Sequence, residues 1–213
     1  MSVATRTIRQ ILELRQGGIT NVRVLSAIER VPRNRFVPEA LAHQAFENVA
    51  IPIGHGQTLS QPLVVAQMLE ALEMGPRMKV LEVGTGSGYQ TAVLAQLCRR
   101  VYTIERHRPL MVQAENRLRE LRLHNVTTRV GDGVLGWPEQ APFDRIVVAA
   151  AAPEPPESIL AQLSVGGILV VPIGAQGREQ SLMRVQRREQ GFESEWLSQV
   201  RFVPLVADVG SIS

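Results

Sequence analysis

The fold is decided by the stretch Val80-Leu81-Glu82-Val83-Gly84-Thr85-Gly86-Ser87-Gly88-Tyr89. Its first half is mostly apolar, as in a buried β-strand, and its second half places a glycine at every second position. Glycine has no Cβ, so the backbone can turn sharply there and a ligand can approach it closely. The stretch therefore predicts a strand, a tight glycine turn and a helix that begins close to the last glycine.

The residues around this turn indicate which ligand it binds. Glu82 stands just before the first glycine, and a carboxylate in this position disfavours a phosphate group. The spacing is G-x-G-x-G, whereas a dinucleotide-binding turn usually reads G-x-G-x-x-G. Although such a turn can also be a plain strand-to-helix connection, both features favour the sulfonium nucleoside S-adenosylmethionine over NAD. We therefore predict S-adenosylmethionine as the cofactor, bound at this turn by Glu82, Gly84, Thr85, Gly86, Ser87 and Gly88.

A second acid supports this interpretation. The predicted strand at 101–104 ends in Glu105, about 20 residues after the glycine turn. A carboxylate at this place can accept hydrogen bonds from both ribose hydroxyls of a bound nucleoside. The alternative is a solvated charge at a strand end that pairs with Arg106. We predict that Glu105 binds the cofactor.

A third strand end presents both glycine and acid. The predicted strand at 126–130 runs into Gly131-Asp132-Gly133, where a carboxylate or a backbone amide could meet the adenine edge. Asp-Gly is also common turn chemistry, so a plain turn is the alternative. Because three strand ends in the expected order carry glycine or acid, we add Asp132 and Gly133 to the predicted cofactor site.

The composition is that of one compact enzyme domain. The chain has 213 residues, of which 45% are hydrophobic and 20% charged, enough to bury a sizeable core without splitting. We predict a single domain over 1–213. Within it we expect a helical cap with an acceptor segment at 1–76, a cofactor-binding α/β core at 77–175 and a β-rich tail at 176–213.

The same composition argues against several classes of protein. No run approaches 18 apolar residues and Arg6 and Arg9 lie near the start, so we expect no membrane span, no secretory signal and a cytoplasmic location. The formal net charge is only +3, Lys79 is the single lysine, and no arginine stripe suits nucleic acid. Cys98 is most simply a buried thiol in a reducing compartment. The four histidines are scattered, so we expect no metal site.

The hydrophobic pattern predicts an α/β fold with a mostly parallel, doubly wound sheet, antiparallel C-terminal strands and an N-terminal helical cap. We expect one helix before Gly17-Gly18, a second capped by Asn21, and a third over 39–48. A fourth should start with Ser60 as its N-cap and Pro62 as its first residue. Strands and helices alternate from 79 onward, and the last strands are expected at 145–149, 168–171, 182–186 and 192–203.

S-adenosylmethionine is a methyl donor, and the molecule that accepts its methyl group has to be inferred from other segments of the sequence. The loop Ala150-Ala151-Ala152-Pro153 lacks the polar and aromatic residues that hold an amino group, and Cys98 is badly placed to attack a pyrimidine. The segment 53–62 is unusual because small and hydroxyl residues crowd before a helix. Free amides at a helix N-terminus, with the hydroxyls of Thr58 and Ser60, suit an anionic oxygen. The alternative is that Ser60 merely caps the helix and Thr58 supports the turn.

These segments closely resemble the bacterial type of the protein-L-isoaspartate O-methyltransferase family. The resemblance rests on Gly56-Gln57-Thr58-Leu59-Ser60-Gln61-Pro62 and on the glycine turn through Gln90-Thr91. Further matches follow the family's order: Arg30-Val31-Pro32-Arg33, Phe36-Val37, Gly131-Asp132-Gly133, Gly166-Gly167 and Arg201-Phe202-Val203-Pro204-Leu205. The likeness covers about residues 20 to 205, and Thr-x-Ser-Gln-Pro is its most specific part.

This resemblance implies a Rossmann-like S-adenosylmethionine-dependent methyltransferase that acts on the free α-carboxylate of L-isoaspartyl residues, as the first step of repair through a succinimide. It implies that Ser60 is the catalytic-site serine and that Gln57, Thr58 and Leu59 contact the isoaspartyl group. The implied partners are damaged proteins and peptides, and we expect a monomer. Leu63 and Ala150 stand where the family often has an aromatic residue or histidine and a threonine, so we expect any difference in acceptor geometry there.

Two other functions remain open from the sequence. The first is a methyltransferase of a small carboxylic acid, in which the helical cap would close a small pocket. The second is a non-catalytic module that binds an adenosyl ligand. The mechanism also has an alternative, because His55 precedes the acceptor segment and a neutral imidazole could act there as a base.

Overall fold

The computed structural model describes residues 2–175 and 177–207. Its strands are β1 Ile51–Gly54, β2 Gln57–Leu59, β3 Lys79–Val83, β4 Arg100–Glu105, β5 Val126–Val130, β6 Phe143–Val148, β7 Leu163–Ile173, β8 Gln180–Arg187 and β9 Phe192–Val200. Its α-helices are α1 Val3–Gln16, α2 Val22–Arg30, α3 Pro62–Ala71, α4 Tyr89–Leu97, α5 Arg108–Glu120 and α6 Glu157–Leu160. Short 3-10 helices cover Arg33–Phe36, Glu39–Gln44, Gly133–Leu135 and Pro138–Gln140.

Seven of the strands form one sheet in the order β5-β4-β3-β6-β7-β8-β9. The five neighbouring strands β5, β4, β3, β6 and β7 are parallel to one another. Strand β8 pairs with β7, and β9 with β8, in antiparallel fashion. The chain passes from β3 outward to β4 and β5, and then returns to the other side of β3 with β6. Ligands of open α/β sheets bind at such a reversal, beyond the carboxyl ends of the strands. The predicted sheet class is therefore confirmed, and it places the site beside β3.

The core consists of two hydrophobic clusters, one on each face of the sheet. In β7, Ile168 and Val170 belong to the cluster that also contains buried hydrophobic residues from each of α1 to α4. The intervening Leu169 and Val171 belong to the other cluster, which contains Ile159 of α6. This alternation follows from the two-residue period of a strand. The helical cap therefore shares its apolar core with the sheet.

The N-terminal segment agrees with the sequence in two helices and differs in the third. Helix α1 ends at Gly17, and the Asn21 side chain caps α2 by accepting hydrogen bonds from two backbone amides, as predicted. The helix predicted over 39–48 was wrong, since only a 3-10 helix forms over Glu39–Gln44. No strand was predicted before residue 79, whereas β1 and β2 form an antiparallel hairpin over 51–59.

The N-terminus of α3 is capped by a residue that the sequence did not indicate. Pro62 is its first residue, as predicted, but Gln61 is the N-cap and makes no side-chain capping bond. The backbone amide of Leu63 instead donates to Oδ1 of Asn48, 15 positions earlier, at 3.1 Å. The prediction that Ser60 is the N-cap was therefore wrong, because the chain turns into the helix one residue later.

Strands β7 and β8 are longer than predicted, β9 is shorter, and the segment after β9 returns to the sheet. Strand β9 ends at Val200, so residues 201–203 were wrongly included in it. Beyond it, Ala151 donates its amide to the Val203 carbonyl at 2.8 Å, and Leu205 donates to the Ala151 carbonyl at 2.7 Å. The predicted tail at 176–213 includes residue 176 and residues 208–213, which lie outside the described residues. The division of the chain into three parts stays a prediction.

We predict that Asn48→Ala lowers the free energy of unfolding by about 1 kcal/mol, because it leaves the Leu63 amide without its cap. Ser60→Ala should leave the free energy of unfolding nearly unchanged, since the Ser60 side chain caps no amide. Urea denaturation of both variants checks this. Equal destabilisation of the two variants would contradict the assignment.

Candidate cofactor and acceptor site

The glycine turn lies on the carboxyl ends of β3 and β4. The backbone amides of Gly84 and Thr85 both donate to the Ile104 carbonyl, at 2.9 and 3.2 Å. Gly84 has φ of +96° and Gly88 has φ of +86°, a region that favours glycine. A Cβ on Gly88 would also lie 3.0 Å from Cβ of Ala114 in α5. The absence of a side chain at position 88 therefore lets α5 pack closely against the start of α4.

Glu105 is bonded to the glycine turn and faces the cavities beside it. Its Oε2 accepts from the Gly86 amide at 2.8 Å, and its Oε1 accepts from the His107 amide at 2.9 Å. Only 5% of the residue is exposed, and it lines two cavities. A carboxylate has about four acceptor sites, so capacity for further donors remains. This geometry suits the ribose role predicted from the sequence.

Glu82 lies behind the turn rather than on the surface of a cavity. It is fully buried and accepts from Thr91 at 2.5 Å, from Thr103 at 2.7 Å and from Gln90 at 3.2 Å. Burial raises the pKa of Glu82 to about 7, against the opposing effect of these three hydrogen bonds. The geometry does not support direct cofactor contact by Glu82, because neighbouring side chains enclose its carboxylate.

The third strand end contributes one of its two predicted residues to a cavity. Gly133 lines the apolar cavity next to β4, whereas Asp132 does not. Oδ1 of Asp132 accepts from the Val134 amide at 2.8 Å and caps the short helix there. This contact agrees with the alternative that Asp132 is a turn residue. Its side chain does not line the cavity, so the geometry does not support the predicted contact with the cofactor.

An apolar cavity of about 150 Å³ extends from the glycine turn along the carboxyl ends of β3, β4 and β6. Its walls include Ile104, Ala149 and Ala150, together with the segment 203–206. The apolar part of these walls suits an adenine ring, and Glu105 and Gly84 lie on the same cavity. The residues present therefore fit an adenosyl group, and this space is called the adenosyl cavity below.

The acceptor segment lies between two other spaces. A small inner cavity of about 50 Å³ is lined by the glycine turn, including Thr85 and Ser87, and by residues 57–60. An open groove of about 800 Å³ lies on the other side of Thr58 and Ser60, and both residues line the two spaces. Gln57 and Leu59 line the inner cavity but not the groove. Of the four predicted acceptor residues, Thr58 and Ser60 therefore lie where the two spaces meet.

The segment after β9 forms the opposite wall, which the spacing of the motifs did not reveal. Val203 lines the adenosyl cavity, the inner cavity and the groove. Gln180 fixes the start of this segment, since its Oε1 accepts from the Phe202 amide at 2.6 Å and its Nε2 donates to the Phe202 carbonyl at 3.2 Å. In the sequence, the only signal for this wall is the match of residues 201–205 to the family pattern.

The hairpin of β1 and β2 covers the glycine turn from the solvent side. Gly56 and Gln57 line the adenosyl cavity, and a Cβ on Gly86 would lie 3.3 Å from Ile53 in β1. His55 occupies the hairpin turn, and its ring stacks on His107 with a centroid distance of 5.4 Å. His55 is exposed and lines none of the three spaces. Its position gives no support to a base role.

Arg33 fixes the acceptor segment from behind. It is 1% exposed, and its guanidinium donates to the carbonyls of Ser60 at 2.9 Å, Ala45 at 2.9 Å and Val49 at 3.2 Å. It also lies 5.2 Å from the ring centroid of Tyr89, the first residue of α4. Desolvation lowers the pKa of Arg33 to about 10, so it stays charged at neutral pH.

The two departures from the family pattern lie away from the groove. Leu63 packs toward the helical cap, where a Cβ on Gly17 would lie 2.6 Å from its Cδ1. Ala150 lines the adenosyl cavity. Neither residue lines the acceptor groove, so the geometry does not support the expected effect on acceptor geometry. Over the described ranges, no group of three or more His, Cys, Asp or Glu residues could hold a metal ion.

Comparison with known proteins identifies one family that this chain resembles over nearly its whole length. The profile of the family described as Protein-L-isoaspartate(D-aspartate) O-methyltransferase (PCMT) matches residues 6–210. A relative from Rhodospirillum rubrum named protein-L-isoaspartate O-methyltransferase is 59% identical over 208 residues, which are 97% of this chain and 95% of the relative. A relative of the same name from Rhodospirillum centenum is 55% identical over 210 residues, which are 98% and 95% of the two chains.

Solved structures agree with these sequences. A structure named protein-L-isoaspartate O-methyltransferase superposes with a TM-score of 0.85 at 26% identity and covers 96% of this chain and 67% of its own. A beta-aspartate methyltransferase (PCMT) structure from Plasmodium falciparum, in complex with S-adenosyl-L-homocysteine, superposes with a TM-score of 0.82 at 25% identity. It covers 93% of this chain and 97% of its own. The similarity therefore includes nearly the whole fold.

We predict that Glu82→Gln changes the pH dependence of stability. The pKa of Glu82 is about 7 when folded and lies near its ordinary value of 4.5 when unfolded. The folded protein therefore holds this proton more tightly, and wild-type stability falls as pH rises from 4.5 to 7, by about 3 kcal/mol. Glutamine does not titrate. In urea denaturation, the free energy of unfolding of the variant, relative to that of wild type, should therefore rise between pH 5 and pH 8.

Glu29→Gln is the matched control, because Glu29 is an exposed acid on α2. Its stability difference from wild type should be the same at both pH values. If the stability difference between Glu82→Gln and wild type were also the same at both pH values, the prediction that burial raises the pKa of Glu82 would be contradicted.

We predict that Glu105→Ala weakens binding of S-adenosylhomocysteine by about tenfold to 150-fold. Hydrogen bonds to a charged group contribute about 1.5–3 kcal/mol, and this carboxylate both bonds the glycine turn and faces the adenosyl cavity. Calorimetric titration measures the change. Unchanged affinity in a folded variant would exclude the role of Glu105 in cofactor binding.

Proposed function

Because the chain belongs to the protein-L-isoaspartate(D-aspartate) O-methyltransferase family, we propose that it transfers the methyl group of S-adenosylmethionine to L-isoaspartyl residues. The acceptor is the free α-carboxylate of such a residue in a damaged protein or peptide. One observation carries this proposal beyond membership of the family. Thr58 and Ser60 line both the inner cavity at the glycine turn and the open groove.

The cofactor would be held by the residues around the glycine turn. We assign the ribose to Glu105 and the adenine to the apolar cavity with Ile104, Gly133 and Ala150, and the rest of the cofactor to the turn at 84–88. When bound, S-adenosylmethionine supplies an electrophilic methyl group on a sulfonium. The buried Glu82 supports this turn through Thr91, Thr103 and Gln90 without facing the ligand.

The acceptor needs no base from the protein. A free α-carboxyl group has a reference pKa of about 3.3–3.7, so the isoaspartyl carboxylate is already ionised at neutral pH. The protein must hold its oxygen in line with the donor, and such positioning can be worth effective molarities of about 10⁵ M or more. Ser60 and Thr58 can orient the oxygen by donating hydrogen bonds. Excluding water favours the transfer further, because two opposite charges are neutralised.

The product explains why this reaction begins repair. A methyl ester carries a better leaving group than a carboxylate does. The backbone nitrogen of the following residue therefore attacks the ester carbonyl, and its proton leaves with the methoxide as methanol when the succinimide closes. Water then opens the ring at either carbonyl, and one of the two products is a normal aspartyl residue. Repeated methylation of the other product leads to net repair. The enzyme therefore needs only to make the ester.

The open groove argues against the first alternative function. A methyltransferase of a small carboxylic acid would need a closed pocket, whereas the space beside Ser60 has a volume of about 800 Å³. The second alternative, a non-catalytic binding module, has no use for hydroxyl groups between the cofactor turn and an open groove. Peptide and protein acceptors fit this geometry better than either alternative.

Some parts of the assignment remain predictions. We predict that the protein is a monomer, that it has no nucleic-acid partner and that it acts in the cytoplasm. The described helices include none that is long and apolar enough to cross a membrane.

Labelled S-adenosylmethionine and a pair of peptides, one aspartyl and one isoaspartyl, test the function directly. We expect base-labile label on the isoaspartyl peptide only, because only that peptide presents a free α-carboxylate at the damaged residue. Label on neither peptide would favour the binding module. Label on a small carboxylic acid but not on the isoaspartyl peptide would favour the first alternative.

We predict that Ser60→Ala lowers kcat/KM for an isoaspartyl peptide by about tenfold to 150-fold. The change removes one hydrogen bond to an anion, which contributes about 1.5–3 kcal/mol. Affinity for S-adenosylhomocysteine should change little, because the hydroxyl orients the acceptor. Initial rates and calorimetric titration measure both effects, and a folded variant with wild-type kcat/KM would remove Ser60 from the site.

His55→Gln is the control for a base mechanism, because His55 lies in the hairpin turn and lines none of the three spaces. Its kcat should stay close to that of wild type. A loss of several orders of magnitude in kcat would show that the imidazole acts as a base.

A further inference from the structure

The charge of the acceptor groove is one-sided. Its walls contain two arginines, Arg178 and Arg201, and no aspartate or glutamate among the described residues. Glu179 follows Arg178 in the chain but does not line the groove. The other polar side chains on the walls are neutral, such as Gln61, Gln199 and Ser60. Among the described residues that line the groove, an extended acceptor therefore meets positively charged side chains and no negatively charged ones.

The two arginines differ from their neighbours in having no ionic partner among the described residues. In β8, Arg184 pairs with Glu73 and Glu195, both at 2.9 Å. Arg188 pairs with Glu193 at 2.6 Å. Arg178 and Arg201 are exposed and take part in none of the ion pairs or side-chain hydrogen bonds within residues 2–175 and 177–207. Their guanidinium groups are available to a ligand.

We propose that Arg178 and Arg201 determine acceptor preference by binding acidic side chains that flank the isoaspartyl residue. This inference rests on the proposed function, because it concerns the same groove. The preferred substrates would be isoaspartyl sites in acidic stretches of polypeptide, and lysine-rich stretches would be disfavoured. Guanidinium groups suit this role because they present several fixed donors to a carboxylate.

The position of the arginines favours flanking acids over the methylated carboxylate itself. The reacting oxygen must reach the inner cavity, which is lined by residues 57–60 and by the glycine turn. Arg178 and Arg201 line the groove but not this inner cavity. They therefore face the parts of an acceptor that extend away from the reacting group.

The test compares three isoaspartyl peptides that differ only in having Glu, Gln or Lys on both sides of the isoaspartyl residue. At low salt, kcat/KM should be about tenfold higher with Glu than with Lys, and the Gln peptide should lie between them. Each exposed ion pair changes affinity by about 1.4-fold to fivefold, so Arg178→Gln and Arg201→Gln should each reduce the preference by that factor. High salt should reduce it as well.

Arg99→Gln is the control variant, because Arg99 is exposed just before β4, which is separated from β8 and β9 by three strands of the sheet. It removes the same charge and should leave the preference unchanged. A wild-type enzyme that methylates all three peptides equally would overturn the inference and leave the proposed function intact.

Two further outcomes separate the possibilities. If the groove variants lose kcat/KM equally for all three peptides, the arginines bind the isoaspartyl carboxylate and the inference is wrong. If wild type methylates none of the peptides, the proposed function fails. Binding of the same peptides, measured by fluorescence anisotropy, then tests the charge preference without turnover, and equal affinities would overturn it.

Discussion

A single buried guanidinium links the acceptor segment to the cofactor helix. Arg33 donates to the Ser60 carbonyl and to two carbonyls of the preceding segment, and it lies over the ring of Tyr89 at the start of α4. Removing the charge from water is costly, and three charge-assisted hydrogen bonds with a cation–π contact offset that cost. In the proposed reaction, methyl transfer depends on the distance between Ser60 and the glycine turn, and Arg33 connects the elements that set this distance.

The two acids of the cofactor site show how position separates their roles. Glu82 lies one residue before the end of β3, and Glu105 ends the adjacent parallel strand β4. Glu82 is enclosed by Thr91, Thr103 and Gln90, whereas Glu105 faces two cavities. The buried carboxyl has a pKa raised to about 7, since burial disfavours its charged form. Glu82 therefore holds residues next to the glycine turn through its hydrogen bonds, and of the two acids only Glu105 faces the space proposed for the ligand.

The site contains few groups that could act as acid or base, and the proposed chemistry needs none. The acceptor is an anion and the donor is a cation, so the reaction requires alignment and the exclusion of water. The hairpin of β1 and β2 covers the glycine turn, and Val203 closes the opposite side. The groove remains open beyond Ser60, as a polypeptide acceptor requires. Thr58 and Ser60 thus lie between the cavity at the glycine turn and the groove.

The sequence by itself determined the sheet class, the glycine turn, the roles proposed for Glu105 and Ser60, and the family, because these depend on local patterns. Strand period, glycine spacing and a short hydroxyl-rich motif are all readable within a few residues. Only the tertiary structure decided that Asn48 rather than Ser60 caps α3, that Glu82 and Asp132 do not line the cavities, and that residues 201–205 form a wall of the site. Each of these depends on contacts between distant segments, and one-dimensional spacing does not specify which buried donor meets which acceptor.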